Sequence, residues 1–237
     1  DLENWNKIKD KFAAFLGKNV KQKEIALIGC ATEGINIILN GLNLQEGGEI
    51  ITSTHEHPAL HIPLLNKFKN EGIALKTFDP DRQNGMNNVK KIEKLITKKT
   101  RLIFISHVTC TTGQIFPISE IGEIARENDI YFALDGAQAA GSVPVNPAAD
   151  NAHFYTFSGH KWLLGPKRTG ILRVKENMLD RLNPTTVGAY SDAGYDILKK
   201  EIKFQKSAQK FEYGTVNHSL YEGLEEALGF INSIGIN

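Results

Sequence analysis

The chain has 237 residues, 41% hydrophobic and 23% charged, which suits one large α/β domain, or one with a fragment of a second, that buries its core without disulfides or metals. Its 28 basic residues balance 27 acidic ones, for a formal net charge of +1; nothing in that balance suggests nucleic acid or a membrane surface as partner. Only two cysteines are present, Cys30 and Cys110, which argues against a disulfide framework and for a reducing cytoplasm; no apolar run reaches membrane-spanning length and the opening residues do not read as a signal peptide.

In chain order, Leu2, Trp5, Ile8, Phe12, Phe15 and Leu16 recur at helical spacing and predict a helix over 2–16. A short apolar strand follows at 24–28 and a helix at 32–39. Next come a strand at 49–52, a helix at 58–70 that stops before Gly72, a strand at 73–78 and a helix at 89–96. Residues 101–106 (RLIFIS) form a strongly apolar strand, 118–127 a helix and 130–134 another buried strand; 154–157 and 170–174 read as two more. Short, continuously apolar strands alternating with helices predict a mostly parallel sheet covered on both faces. Residues 182–212, rich in Lys, Gly, Ser and Asp, read as a long surface loop or a dimer-contact excursion.

In such a sheet, ligands bind beyond the carboxyl ends of the strands, and four segments there carry chemistry. The first is Gly29-Cys30-Ala31-Thr32-Glu33-Gly34. Its small residues and the following helix N-terminus suit an anion; the plainer reading is Thr32 as an N-cap. The second is Thr54-His55-Glu56-His57-Pro58, where an imidazole can stack on an aromatic ligand. His55, His57 and His61 also raise a metal reading, a minority one because no separate fourth ligand is evident. The third is Asp135-Gly136-Ala137-Gln138. A partly desolvated acid there calls for a cationic partner such as a protonated ring nitrogen, within reach of Gln138; the plainer reading is an N-cap on a helix over 136–140. The fourth is Ser158-Gly159-His160-Lys161-Trp162, with a hydroxyl and an imidazole for a phosphate and an amine able to form an imine; the plainer reading is an exposed turn lysine. Residues 165–170 (GPKRTG) fail the spacing of a P-loop. A phosphate cradle, a stacking ring, a buried acid and an amine together suit a pyridine aldehyde phosphate.

The order Ala-Thr-Glu-Gly-Ile-Asn (31–36), Glu-His-Pro (56–58), Ser-His-Val-Thr (106–109), Asp-Gly-Ala-Gln (135–138) and Ser-Gly-His-Lys (158–161) resembles the class V aminotransferase family of fold-type I enzymes dependent on pyridoxal 5′-phosphate (PLP). That family includes cysteine desulfurases, selenocysteine lyases and isopenicillin N epimerase-like proteins. The resemblance covers roughly residues 10–235 and implies a three-layer α/β/α domain with a mostly parallel seven-stranded sheet. It implies that Lys161 holds PLP as a Schiff base and moves the substrate α-proton. Asp135 would keep the pyridine nitrogen protonated, Gln138 would bond the phenolic oxygen, and His57 would stack on the ring. Ala31, Thr32, Ser158 and His160 would hold the phosphate, with Thr109 and Cys110 beside the cofactor. The Phe211-Glu212-x-Gly214-Thr215 stretch resembles the element that reaches the partner subunit's phosphate, which implies a homodimer with Thr215 in a shared site.

Cysteine desulfurases usually have Asn where this chain has Cys110, and the segment after Val108 is closer to the epimerase-like branch. The family also continues for about another hundred residues into a small C-terminal domain. That domain carries the substrate-carboxylate arginine and, in desulfurases, the persulfide cysteine. The expectation is therefore that 1–237 is the PLP-binding large domain of a longer protein, with 1–19 as a partial N-terminal helix of the small domain. The function implied is an amino-acid-transforming enzyme, desulfurase-like or lyase-like, with no metal. The alternatives are an aminotransferase or epimerase on the same scaffold, or a non-catalytic PLP-fold module.

Overall fold

The computed structural model describes residues 2–236; the side chain of Leu2, first of the expected apolar positions of the opening helix, lies outside the described residues, as do Asp1 and Asn237. The elements in order are α1 (Leu2–Leu16), β1 (Ile25–Ile28), α2 (Ala31–Gly41), β2 (Glu49–Ser53), α3 (Pro58–Glu71), β3 (Ala74–Phe78), α4 (Gly85–Leu95), β4 (Thr100–Ser106), α5 (Ile118–Glu127), β5 (Tyr131–Asp135), β6 (Phe154–Ser158), β7 (Gly170–Val174), β8 (Asp192–Asp196), β9 (Glu201–Phe204) and α6 (His218–Ile234).

The first seven strands form one sheet in the order β1-β7-β6-β5-β4-β2-β3. β7 runs antiparallel to both neighbours, β6 and β1, and the other pairings are parallel. The expected seven-stranded, mostly parallel sheet is thus present. Alternate residues of each strand feed two cores, which is why the strands read as unbroken apolar runs. Ile103 and Ile105 of β4 join Phe132 and Leu134 of β5 under α1, α4, α5 and α6. Leu102 and Phe104 face the other way, toward Ile35 and Ile38 of α2 and Leu60 and Leu64 of α3. On α1, Trp5, Ile8, Phe12 and Leu16 are buried in the first of these cores with Tyr221, Leu224, Leu228 and Ile231 of α6.

Local chemistry sets the element ends. Asn84 caps α4 by accepting from the Met86 N–H at 3.0 Å, so the helix starts four residues earlier than the apolar spacing alone predicts. Gly72 ends α3 in the left-handed region, with φ 65°. Glu24, expected to open β1, lies instead in a one-turn 3-10 helix. Its buried carboxylate accepts from Arg173 Nε at 2.7 Å, tying the edge strand β1 to β7.

Three expectations are corrected. Thr32 does not cap α2: the helix begins at Ala31 and Cys30 holds the N-cap position without a side-chain bond. No helix spans 136–140; Asp135 Oδ1 accepts from Ala137 N at 2.9 Å and closes a turn. Residues 182–212 are not one long loop, since β8 and β9 pair there as an antiparallel hairpin. Its exposed faces and Gly194 give no apolar alternation to read. Among the described residues no helix is long and apolar enough to cross a membrane.

Candidate cofactor site

The chain runs from β2 outward to β3, then returns to β4, β5, β6 and β7 on the other side of β2. The direction therefore reverses between β2 and β4, and the crevice beyond their carboxyl ends is where an open α/β sheet offers a site. Asp135 ends β5 beside it, in register with Ser106, the last residue of β4. Asp135 is 4% exposed. Burial pushes its carboxyl pKa up; the Ala137 N–H and then the charges of Lys161 and His57 pull it back. A carboxylate in this position is stabilised by a cation placed against it.

Lys161 sits half-buried in the loop between β6 and β7. That loop is closed at its base by Gly159 N donating to Thr169 O at 2.8 Å, and folded on itself by Gly165 N donating to Gly159 O at 2.9 Å. The amine is thus carried by a short braced loop on the sheet. His57 precedes α3, and its Nδ1 accepts from Ala59 N at 3.0 Å. This N-cap bond orients the imidazole while the residue stays exposed.

Two of the sequence segments meet through a bond between residues 127 apart: Ala31 N donates to Ser158 Oγ at 2.9 Å. Ser158 is buried and keeps its own O–H to donate. Gly170 lets the segments approach, since a Cβ there would lie 2.8 Å from Phe157 O and 2.9 Å from Cys30 Cα. Cys30 holds the N-cap position of α2 without a side-chain bond; Ala31, Glu33 and Gly34 donate their N–H groups within the protein, so the exposed Thr32, with its N–H and hydroxyl, and the positive helix end are what this turn offers an anion. Exposed His160 lies in the same loop as Lys161, and partial burial with the charges of Lys161 and Lys167 lowers its pKa.

A buried acid, a loop amine, an oriented imidazole and an anion cradle fit a phosphorylated pyridine aldehyde, and the comparisons with known proteins agree. The family model described as aminotransferase class-V matches residues 2–237. The chain belongs to the class V aminotransferase family. Relatives named "Probable cysteine desulfurase" come from Methanothermobacter thermautotrophicus, 29% identical over 96% of this chain and 56% of that protein, and Borreliella burgdorferi, 34% identical over 91% of this chain and 52% of that protein. Among solved structures, the cystine C-S lyase C-DES in complex with cysteine persulfide superposes with a TM-score of 0.89 at 28% identity, covering 99% of this chain and 62% of that one. A C-DES mutant carries glycine covalently linked to its PLP cofactor, with a TM-score of 0.88 at 27% identity over the same shares of the two chains. The chain spans about half the length of the curated relatives it matches.

Within this class V chain the other expected residues take distinct places. Thr109 is buried, and its hydroxyl serves its own turn, meeting Thr112 Oγ1 at 2.7 Å and accepting from Gln114 N at 3.1 Å. Cys110 is exposed; partial burial raises its thiol pKa, and the Lys161 charge lowers it. Gln138 accepts from Trp162 Nε1 at 2.9 Å. Thr215 is exposed and lines a cavity of about 290 Å³ with Trp5, Leu27, Tyr190 and His218, which includes neither Lys161 nor Asp135. The three histidines of the metal reading diverge. Buried His55 has its Nε2 3.7 Å from Asp79 and, among the described residues, no hydrogen-bond partner for Nδ1; His57 caps α3, and His61 Nε2 bonds Ser53 O at 2.9 Å. Among the described residues no group of three or more His, Cys, Asp or Glu side chains is placed to hold a metal.

Sequence reasoning gave Glu56 no role, although it sits at the centre of this crevice. It is 4% exposed, accepts from Ser106 N at 2.7 Å and takes bonds from the Ser53 and Ser106 hydroxyls. Burial pushes its pKa up to about 7, with Asp135 adding to the rise and the serine bonds opposing it. The local motif shows Glu56 beside His57 but not the strand pairing that sets it on Ser106.

Proposed function

We propose that this chain is the cofactor-binding large domain of a PLP-dependent enzyme that removes sulfur from a cysteine-like amino acid. The observation that carries this reading is Asp135, a buried carboxyl whose nearby opposing charges are those of Lys161 and His57. When bound, PLP supplies an aldehyde that condenses with amines and a ring that accepts the electron pair left at the substrate α-carbon. Asp135 would hold the ring nitrogen in its protonated form, and His57 would cover one face of the ring. Gln138 would bond the ring's phenolic oxygen. The α2 N-terminus, Ser158 and His160 would bind the phosphate. Lys161 would attach the cofactor and, once displaced by the substrate amine, take the α-proton. The choice of sulfur chemistry is supported by the names of the relatives and by the cysteine persulfide bound to C-DES.

The position of Thr215 in a cavity apart from Lys161 supports a homodimer in which that hydroxyl serves the partner's phosphate. Two free cysteines suit a reducing cytoplasm.

The test is the visible spectrum after PLP addition, followed by borohydride reduction and peptide mapping. The expected result is one pyridoxyl label on Lys161, with band and label both lost in Lys161→Ala while its circular dichroism is unchanged. A band that survives in Lys161→Ala, or label scattered over surface lysines, refutes the assignment.

A further inference from the structure

Gln138 and Trp162 lie on two neighbouring turns, one directly after Asp135 and one directly after Lys161. Trp162 Nε1 donates to Gln138 Oε1 at 2.9 Å. An indole N–H can only donate. Of the two amide orientations that a glutamine can adopt, the indole therefore admits only the one with the carbonyl toward Trp162. The amide nitrogen is turned the other way, and no hydrogen-bond partner for its two N–H groups is found among the described residues.

The two turns are also fitted to each other. Gly141, with φ +95°, lies against the Trp162 backbone, and a Cβ there would come within 2.5 Å of the Trp162 carbonyl. The Gln138 backbone carbonyl accepts from Ser142 Oγ at 2.5 Å, and Ala140 N donates to Gly136 O at 2.9 Å. The backbone carrying the amide is thus held at several points, and the indole bond settles which end of the amide faces Trp162.

We propose that Trp162 is a positioning residue that makes Gln138 present only donors to the cofactor, a step that rests on the reading of Gln138 as a cofactor ligand. Two N–H groups facing the ring's phenolic oxygen favour its ionised form. An amide free to turn would present its carbonyl part of the time and disfavour that form. Trp162 therefore acts on the cofactor's protonation without touching it.

The test uses the full-length protein with PLP bound and compares wild type, Trp162→Phe, Gln138→Ala and the double variant. Trp162 is 52% exposed, so phenylalanine removes the N–H without opening the core. The readouts are the pH midpoint of the visible cofactor band and the borohydride label on Lys161. The expected result is label on Lys161 throughout and a midpoint raised by roughly half to one pH unit in Trp162→Phe. No further rise is expected when that change is added to Gln138→Ala. An unchanged or lowered midpoint in Trp162→Phe, or an equal rise in the Gln138→Ala background, overturns the proposal while leaving the cofactor reading intact. Absence of label from Lys161 in the wild type overturns both.

Discussion

Two buried carboxyls, Glu56 and Asp135, flank the end of β4 from either side, since Glu56 bonds Ser106 and Ser106 is the register partner of Asp135. They cannot both ionise freely at such proximity in a desolvated crevice. Glu56 keeps its proton in the folded protein up to about pH 7, against an ordinary 4.5. Between those values the folded state binds a proton that the unfolded state has released. Stability from this group therefore falls as pH rises from about 4.5 to 7 and stays low above that, by roughly 3 kcal/mol. Glu56→Gln removes the titration, so its urea midpoint relative to wild type should climb across that window and level off above it. Parallel curves across the window would show that Glu56 does not titrate there. Asp135 and Lys161 were legible in the sequence because an acid ending an apolar strand and a lysine in Ser-Gly-His-Lys are distinctive as local strings. Glu56 and Trp162 were not, because their partners lie 50 and 24 residues away and meet them only through the fold.

At the scale of elements, the strands and helices of the main sheet were legible wherever burial left a periodic trace, as in β4 and α5, whose bounds agree with the spacing to within one residue. The β8–β9 hairpin escaped because its side chains are largely exposed and carry no alternation. The reversal of β7 escaped too, because a strand's direction leaves no mark on its own apolar run. That reversal places Gly170 opposite both Ile28 of β1 and Ser158 of β6, at the seam between the anion cradle and the lysine loop. A methyl group there would press on Phe157 O and Cys30. Gly170→Ala should cost about 1–3 kcal/mol of stability and weaken PLP affinity by more than the same change at exposed Gly229, beside which a Cβ meets nothing. Equal affinities for PLP in equilibrium titrations of the two variants would contradict the close seam.

For the whole molecule, the shared-site reading predicts complementation between two defective proteins. Lys161→Ala lacks the amine. Thr215→Val lacks one hydroxyl on the phosphate and should bind PLP about tenfold more weakly. In a hybrid dimer one site combines both defects and the other combines neither. Mixed full-length variants, refolded together and assayed at limiting PLP, should therefore recover activity that neither has alone. No recovery despite hybrid formation would mean that Thr215 serves its own chain's site or none. The strand order has a further consequence, in the timing of folding. β1 is the first strand made, yet its partner in the sheet is β7, the last strand of that sheet to be made. The block from β2 to β6 pairs strands no more than two apart in chain order and can assemble while β1 waits. A chain halted at that stage would already have its acid, but the Ala31–Ser158 bond and the cradle around it form only when β7 closes the gap. PLP would thus be retained only by chains that have completed the slowest, most distant pairing, and its uptake would serve as a clock for the end of folding.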